Sequence, residues 1–273
     1  MSNDQQAVEK RCIAFVGSGG KTSSIYSCIR QFLLKENGHK EQEKDKNFSY
    51  ADDFSLDHLG IEAGRMLVFT TTKMFVPEKE WEKYNAVNGS LEEKIRKLRE
   101  KKVCITGIKT ERNPLKMGPI SEEEYEILYH HADRILIEAD GSNHMPLKYP
   151  ADWEPVYPKD ITDIVITVGL SALGKPLGQV CHREELARNI LHCDLEKKVR
   201  ADDIYKLIKK GYIDPANHVK HTHIYCLLNQ ADTVEDKSEL RDLKQMIRET
   251  GISGVFTGYF DNFKSNISLM YEP

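Results

Sequence analysis

The chain has 273 residues, of which 40% are hydrophobic and 30% charged; 39 Lys and Arg stand against 43 Asp and Glu, for a formal net charge of −4. That balance fits a folded chain with a sizeable core, excludes a disordered one, and speaks against general nucleic-acid binding, which needs a dominant basic face. No apolar run is long enough to span a bilayer, and the polar start Met-Ser-Asn-Asp-Gln-Gln predicts no signal peptide. Six scattered cysteines without a Cys-x-x-Cys pair fit a reducing cytoplasm.

In chain order, short apolar runs predict strands near 12–16, 66–70, 103–106, 134–138, 164–169, 224–228 and 252–257. Between them, helical patterns lie near 22–35, 90–101, 121–131, 183–192, 201–210 and 235–249. Several strands are continuous aliphatic runs, which suits strands covered on both faces. The expected fold is therefore α/β: one doubly wound domain over 1–273, with a mostly parallel sheet and helices on both faces. Residues 36–64 interrupt the alternation with a polar stretch, read as an exposed insertion. Pro146, Pro150, Pro155 and Pro158 predict an extended loop over 145–160.

The strongest chemical signal is Cys-Ile-Ala-Phe-Val-Gly-Ser-Gly-Gly-Lys-Thr-Ser-Ser over 12–24, an apolar strand entering a glycine-rich turn at a helix start. Gly17, Gly19 and Gly20 permit backbone angles that let several N–H groups converge on one anion, with Ser18 and Ser23 flanking. Lys21 supplies a charge for phosphate, Thr22 a hydroxyl for Mg²⁺, and the helix N-terminus a partial positive charge. The longer phosphate-loop consensus has a glycine where this chain has Phe15; the shorter form is shared with Mur-ligase-like ATP enzymes.

A second strand, Arg134-Ile-Leu-Ile-Glu138-Ala-Asp140, ends in acids suited to Mg²⁺ and to orienting a nucleophile. Asp140 is the preferred metal-side residue together with Thr22, and Glu138 comes next. A third run, Met66 to Met74, opens into three threonines and a lysine, of which Thr71, Thr72 and Lys73 are candidates for a terminal phosphate or a bound substrate. The late Asn229-Gln230-Ala231-Asp232 is either a box in which Asn229 and Asp232 read guanine or a turn with Asp232 or Thr233 capping the next helix. His221-x-His223 reads as an exposed strand start rather than a metal site. Lys175 and Arg183, in and after the glycine-rich 169–178 loop, are candidate anion contacts.

Taken in order, Val16-Gly17 to Ser23, Thr70-Thr71-Thr72, Glu138-Ala139-Asp140-Gly141-Ser142, Pro146-Leu147-Lys148 and Glu154-Pro155-Val156 resemble the YqeC family. Val168-Gly169-Leu170, Leu173-Gly174-Lys175-Pro176-Leu177, His182-Arg183 and Asn229-Gln230-Ala231-Asp232 agree, so the resemblance runs from about residue 11 to the C-terminus. It implies a P-loop NTPase-like accessory protein for selenium-dependent molybdenum hydroxylases. It also makes Lys148 a contact for an anionic substrate or cofactor, such as the molybdopterin phosphate.

The residues and the resemblance together give an expected function: a Mg²⁺-dependent nucleotide hydrolase or switch that helps to mature such a hydroxylase. Lys21, Glu138 and Asp140 are its catalytic candidates. The alternatives are an ATP-using ligase or kinase and a nucleotide-gated binding module without turnover. ATP, GTP and CTP all stay open as the nucleotide.

Overall fold

The computed structural model describes residues 9–36, 54, 56–61 and 63–258. Its first half runs β1 (Arg11–Gly17), α1 (Lys21–Glu36), β2 (Met66–Thr70), β3 (Met74–Phe75), α2 (Leu91–Lys101), β4 (Val103–Ile105), β5 (Ile108–Thr110), β6 (Asn113–Gly118), α3 (Glu122–His131) and β7 (Arg134–Glu138). There follow β8 (Leu147–Lys148), β9 (Asp163–Gly169), α4 (Leu177–Val180), β10 (Cys181–His182), α5 (Glu184–Leu191), α6 (Ala201–Ile208), α7 (Asp214–Ala216), β11 (His223–Asn229), α8 (Lys237–Arg248) and β12 (Gly254–Thr257).

Seven strands make one sheet in the order β12-β11-β9-β1-β7-β2-β4, and every pairing in it is parallel. From β1 the chain passes to β2 and out to β4, returns to insert β7 between β1 and β2, then crosses to β9 on the other side of β1 and builds outward through β11 to β12. Alternate residues of each strand feed two separate cores. Ile13 and Phe15 pack with Ile25, Ile29 and Phe32 of α1, whereas Cys12, Ala14 and Val16 share a core with Leu98, Leu128, Ile204 and Leu243. Burial on both faces is why these strands read as unbroken apolar runs.

β1 and β9 are neighbours whose following helices lie on opposite faces, so their carboxyl ends form a topological switch point, where open α/β sheets bind ligands. Sequence periodicity did not find the small sheets. β3, β5 and β6 make an antiparallel three-stranded piece beyond the ends of β2 and β4, and β8 pairs with β10. Each is too short, or too exposed, to show a period.

The predicted 36–64 insertion falls largely outside the described residues. Its described end is packed: Leu56, Leu59 and Ile61 are buried, and the Leu56 amide donates to Gln31 Oε1 of α1 at 2.9 Å.

Candidate functional site at the sheet switch point

β1 ends in a turn of only Ser18, Gly19 and Gly20 before α1 begins at Lys21. Phe15 therefore belongs to the strand, fully buried, and not to the turn. Gly17, Gly19 and Gly20 all take positive φ, at 87°, 80° and 128°. Space is as restrictive as angle at Gly19, where a Cβ would stand 2.3 Å from both N and Cα of Gly169. The turn is thus wedged backbone to backbone against the end of β9.

Two of its amides are used within the protein. Gly17 N–H donates to Asp140 Oδ2 at 3.0 Å, and Ser18 N–H to the Thr167 carbonyl at 2.8 Å. The amides of Gly19, Gly20, Lys21, Thr22 and Ser23 make no hydrogen bond among the described residues. This leaves a row of N–H donors at the start of a 16-residue helix, where the helix dipole adds positive potential.

Lys21 is 2% exposed and folds back on its own turn, donating to the Gly17 carbonyl at 2.6 Å and pairing with Asp140 Oδ1 at 3.1 Å. Asp140 itself is wholly buried and crowded with donors. Besides Lys21 and the Gly17 amide, Oδ2 receives Lys148 Nζ at 3.1 Å and the Tyr212 hydroxyl at 3.0 Å. Thr22 pairs elsewhere: its Oγ1 donates to Glu138 Oε2 at 2.6 Å. The Glu138 carboxyl is pushed above its ordinary value by burial, an effect that Lys21 and the Thr22 bond offset only in part. Hence the two predicted acids take different roles. Glu138 faces Thr22, and Asp140 anchors lysines.

The threonine run lies beside these acids. Thr70 Oγ1 and the Thr71 amide both donate to the Glu138 carbonyl, at 2.8 and 3.2 Å. Thr71 Oγ1 donates to the Val156 carbonyl at 2.8 Å, while Thr72 Oγ1 is buried with no partner. Lys73 is exposed.

At the end of β11, Asn229 Nδ2 donates to the Gly19 carbonyl at 2.8 Å, and its buried Oδ1 has no hydrogen-bond partner. Asp232 is exposed on the 231–233 turn. The α8 N-cap is neither Asp232 nor Thr233 but Asp236, which accepts from the Ser238 amide at 2.8 Å. His223 opens β11 half-exposed, and among the described residues no group of three or more His, Cys, Asp or Glu is placed to hold a metal.

Lys148 has no exposed side chain. Its ammonium bridges Asp140 to Glu154 Oε2, 2.7 Å away, and donates to the Gly141 carbonyl at 2.5 Å. Glu154 Oε2 also pairs with Arg183 at 3.1 Å, and the Arg183 guanidinium lies 5.2 Å from the ring centre of Trp153, which is 71% exposed.

Tyr212 escaped the sequence reading. It sits in a π-helical turn, Lys209–Ile213, that continues α6; such turns re-aim a side chain by one residue. Gly211 was the available signal. A Cβ there would stand 2.7 Å from Pro150 Cδ, so a glycine inside a helical run marks the close approach of the proline-rich loop.

A family model described as YqeC protein matches residues 55–185. That span holds Glu138, Asp140, Lys148, Glu154 and Arg183, though not the glycine turn. The Escherichia coli (strain K12) protein named "Uncharacterized protein YqeC" is 24% identical over 253 residues, covering 90% of this chain and 86% of that protein. With the acidic strand end and the buried lysine inside the matched span, both comparisons make the chain similar to the YqeC family.

Proposed function

We propose that the chain binds a nucleoside triphosphate with Mg²⁺ through Gly17–Ser23 and hydrolyses it. Its role would be that of an accessory factor in maturing a selenium-dependent molybdenum hydroxylase, the role that the family resemblance implies. One observation carries the nucleotide reading: five unpaired amides and a buried lysine converge at a helix N-terminus, on a glycine turn at the sheet switch point. A polyphosphate satisfies all of them at once. Asn229 Oδ1, buried without a hydrogen-bond partner beside the Gly19 carbonyl that its amide nitrogen holds, supports a polar ligand at the turn.

Mg²⁺ takes one or two protein oxygens and leaves its remaining positions to phosphate and water. Thr22 and Glu138 offer that number, 2.6 Å apart, and the donor set fits. Asp140 was expected beside Thr22 on the metal; its Oδ2 accepts from Lys148, Tyr212 and Gly17 and its Oδ1, without a hydrogen bond, is ion-paired with Lys21, so it serves this reading better as the anchor of Lys21. When bound, the ion neutralises charge on phosphate oxygens. Lys21 and the free amides stabilise charge that builds on the transferred group, and Glu138, bonded to Thr22 at the turn, is placed to orient water.

Calorimetry with ATP, GTP and CTP, each with and without Mg²⁺, tests this reading. The wild-type protein should bind at least one of them more tightly with Mg²⁺. Lys21→Ala should weaken that binding by roughly 10- to 100-fold, the worth of a charge-assisted contact. Unchanged affinity in the variant sinks the phosphate-site reading, and phosphate release by the wild type separates hydrolysis from mere binding.

A further inference from the structure

Lys21, Asp140, Lys148, Glu154 and Arg183 form an unbroken file of alternating charge, with successive separations of 3.1, 3.1, 2.7 and 3.1 Å. It begins on the glycine turn and ends on a guanidinium packed against an exposed tryptophan. Three of its members, Lys21, Asp140 and Lys148, are essentially buried. We infer that this file signals phosphate occupancy: Lys148 is the positioning residue that frees Lys21 for an anion, and Arg183 on Trp153 is where the change emerges at the surface. The inference rests on the nucleotide reading above and adds regulation to the same site.

Lys21 is 2% exposed and folded back on its own turn, bonded to the Gly17 carbonyl and paired with Asp140, so its ammonium must swing outward, away from Asp140, to meet a phosphate. A buried carboxylate stripped of its cation is strongly unfavourable. Asp140 avoids that state because Lys148, the Tyr212 hydroxyl and the Gly17 amide remain on its Oδ2 side. Lys148, however, is shared. It is also the partner of Glu154, and any shift towards Asp140 weakens that second contact.

Glu154 Oε2 in turn is shared between Lys148 and Arg183. When Lys148 is drawn inward, Glu154 holds Arg183 with less competition and pulls the guanidinium relative to the Trp153 ring. Arg183 is poised for this. It has φ of 63° at the junction between β10 and α5, and β10 pairs with β8, the strand that carries Lys148. Movement of Lys148 and of Arg183 is thereby linked through backbone as well as charge.

The chain has two tryptophans, and Trp81 is buried against Tyr26 on the other side of the sheet. A Trp81→Phe background therefore isolates Trp153 fluorescence. Titration with Mg²⁺ and whichever of ATP, GTP or CTP binds by calorimetry should shift Trp153 emission in step with occupancy. At saturating nucleotide, Glu154→Gln should lose that shift, since the file is cut between Lys148 and Arg183. Arg183→Gln, at the partly exposed end where folding is least at risk, should lose it too. Calorimetric binding with no change at Trp153, or a full shift surviving in either variant, overturns the relay while leaving the nucleotide site standing. No calorimetric binding of any of the three nucleotides overturns both.

Discussion

Glu138 and Asp140 stand two residues apart at one strand end, and the protein treats them in opposite ways. Asp140 accepts three hydrogen bonds on Oδ2 and is ion-paired with Lys21 through Oδ1. Glu138 has Thr22 and the nearby Lys21 charge, which do not cancel its burial, so its carboxyl titrates above the ordinary range. Ionising it is therefore easier in the unfolded chain. The resulting loss of stability is absent below the ordinary carboxylate range, grows as pH rises towards the raised value, and is complete above it. Glu138→Gln removes that charge but keeps an oxygen for Thr22. Thermal unfolding at a series of pH values should give the variant the higher Tm at pH 8 and a gap that closes near pH 4. A gap independent of pH would mean that Glu138 is not desolvated in solution. The acids themselves were readable from the sequence because a strand ending in Glu-Ala-Asp-Gly is unusual. Their division of labour was not, since it depends on Lys148 and Tyr212, 8 and 72 residues away from Asp140.

Between elements, the tie from β11 to the glycine turn decides what the Asn229-Gln230-Ala231-Asp232 string does. Asn229 donates to the Gly19 carbonyl across 210 residues of chain, and a Cβ on Gly20 would stand 2.2 Å from Asn229 Nδ2. Gln230, at φ 61°, turns back so that its Oε1 accepts from Ser171 Oγ at 2.6 Å after β9. Three strand ends are latched together through these two side chains. A latch acts on the turn whatever the base, whereas a base-reading residue acts on one nucleotide alone. Asn229→Ala should thus lower affinity for ATP and GTP by the same factor, about fivefold for one neutral hydrogen bond. Selective loss of GTP binding, measured by calorimetry, would restore the base-reading role.

The elements themselves were legible to within a residue or two wherever burial was one- or two-sided and regular. Met66–Thr70 and Arg134–Glu138 match their predicted bounds, and Ser90 and Ser121 cap their helices by accepting from Glu93 and Glu124 amides at 3.3 and 3.1 Å. The antiparallel β3–β5–β6 piece was not legible, because Ile108, Leu115 and Phe75 are exposed and leave no alternation to detect. Among the charged residues of α2, Lys94 alone is buried. It is paired with Glu124 of α3, which locks α2 to α3.

Over the whole molecule, the parallel sheet sorts polar chemistry to its two ends. At the carboxyl end lie the glycine turn, the paired acids, the threonines and Asn229. At the amino end, Asp163 is fully buried and held by Arg11 at 3.5 Å and by His223 at 3.4 Å, beside a cavity of about 530 Å³ lined by residues from Ala216 to Ile224. Both ends therefore carry charge, and the unpaired amides together with the topology rank them. The carboxyl end has the unpaired amides of the glycine turn at the start of α1, and the switch point between β1 and β9, whose following helices lie on opposite faces. Hydrogen exchange with and without Mg²⁺ and the bound nucleotide checks that ranking directly. The amides of 19–23, 141–145 and 230–233 should exchange more slowly in the complex. Those of 217–223, on exposed turns at the opposite end, should keep their rates, because they open locally without unfolding and so do not register a gain in global stability. Protection confined to 217–223 would move the ligand to the amino-end cavity and leave the glycine turn a structural hinge between two layers.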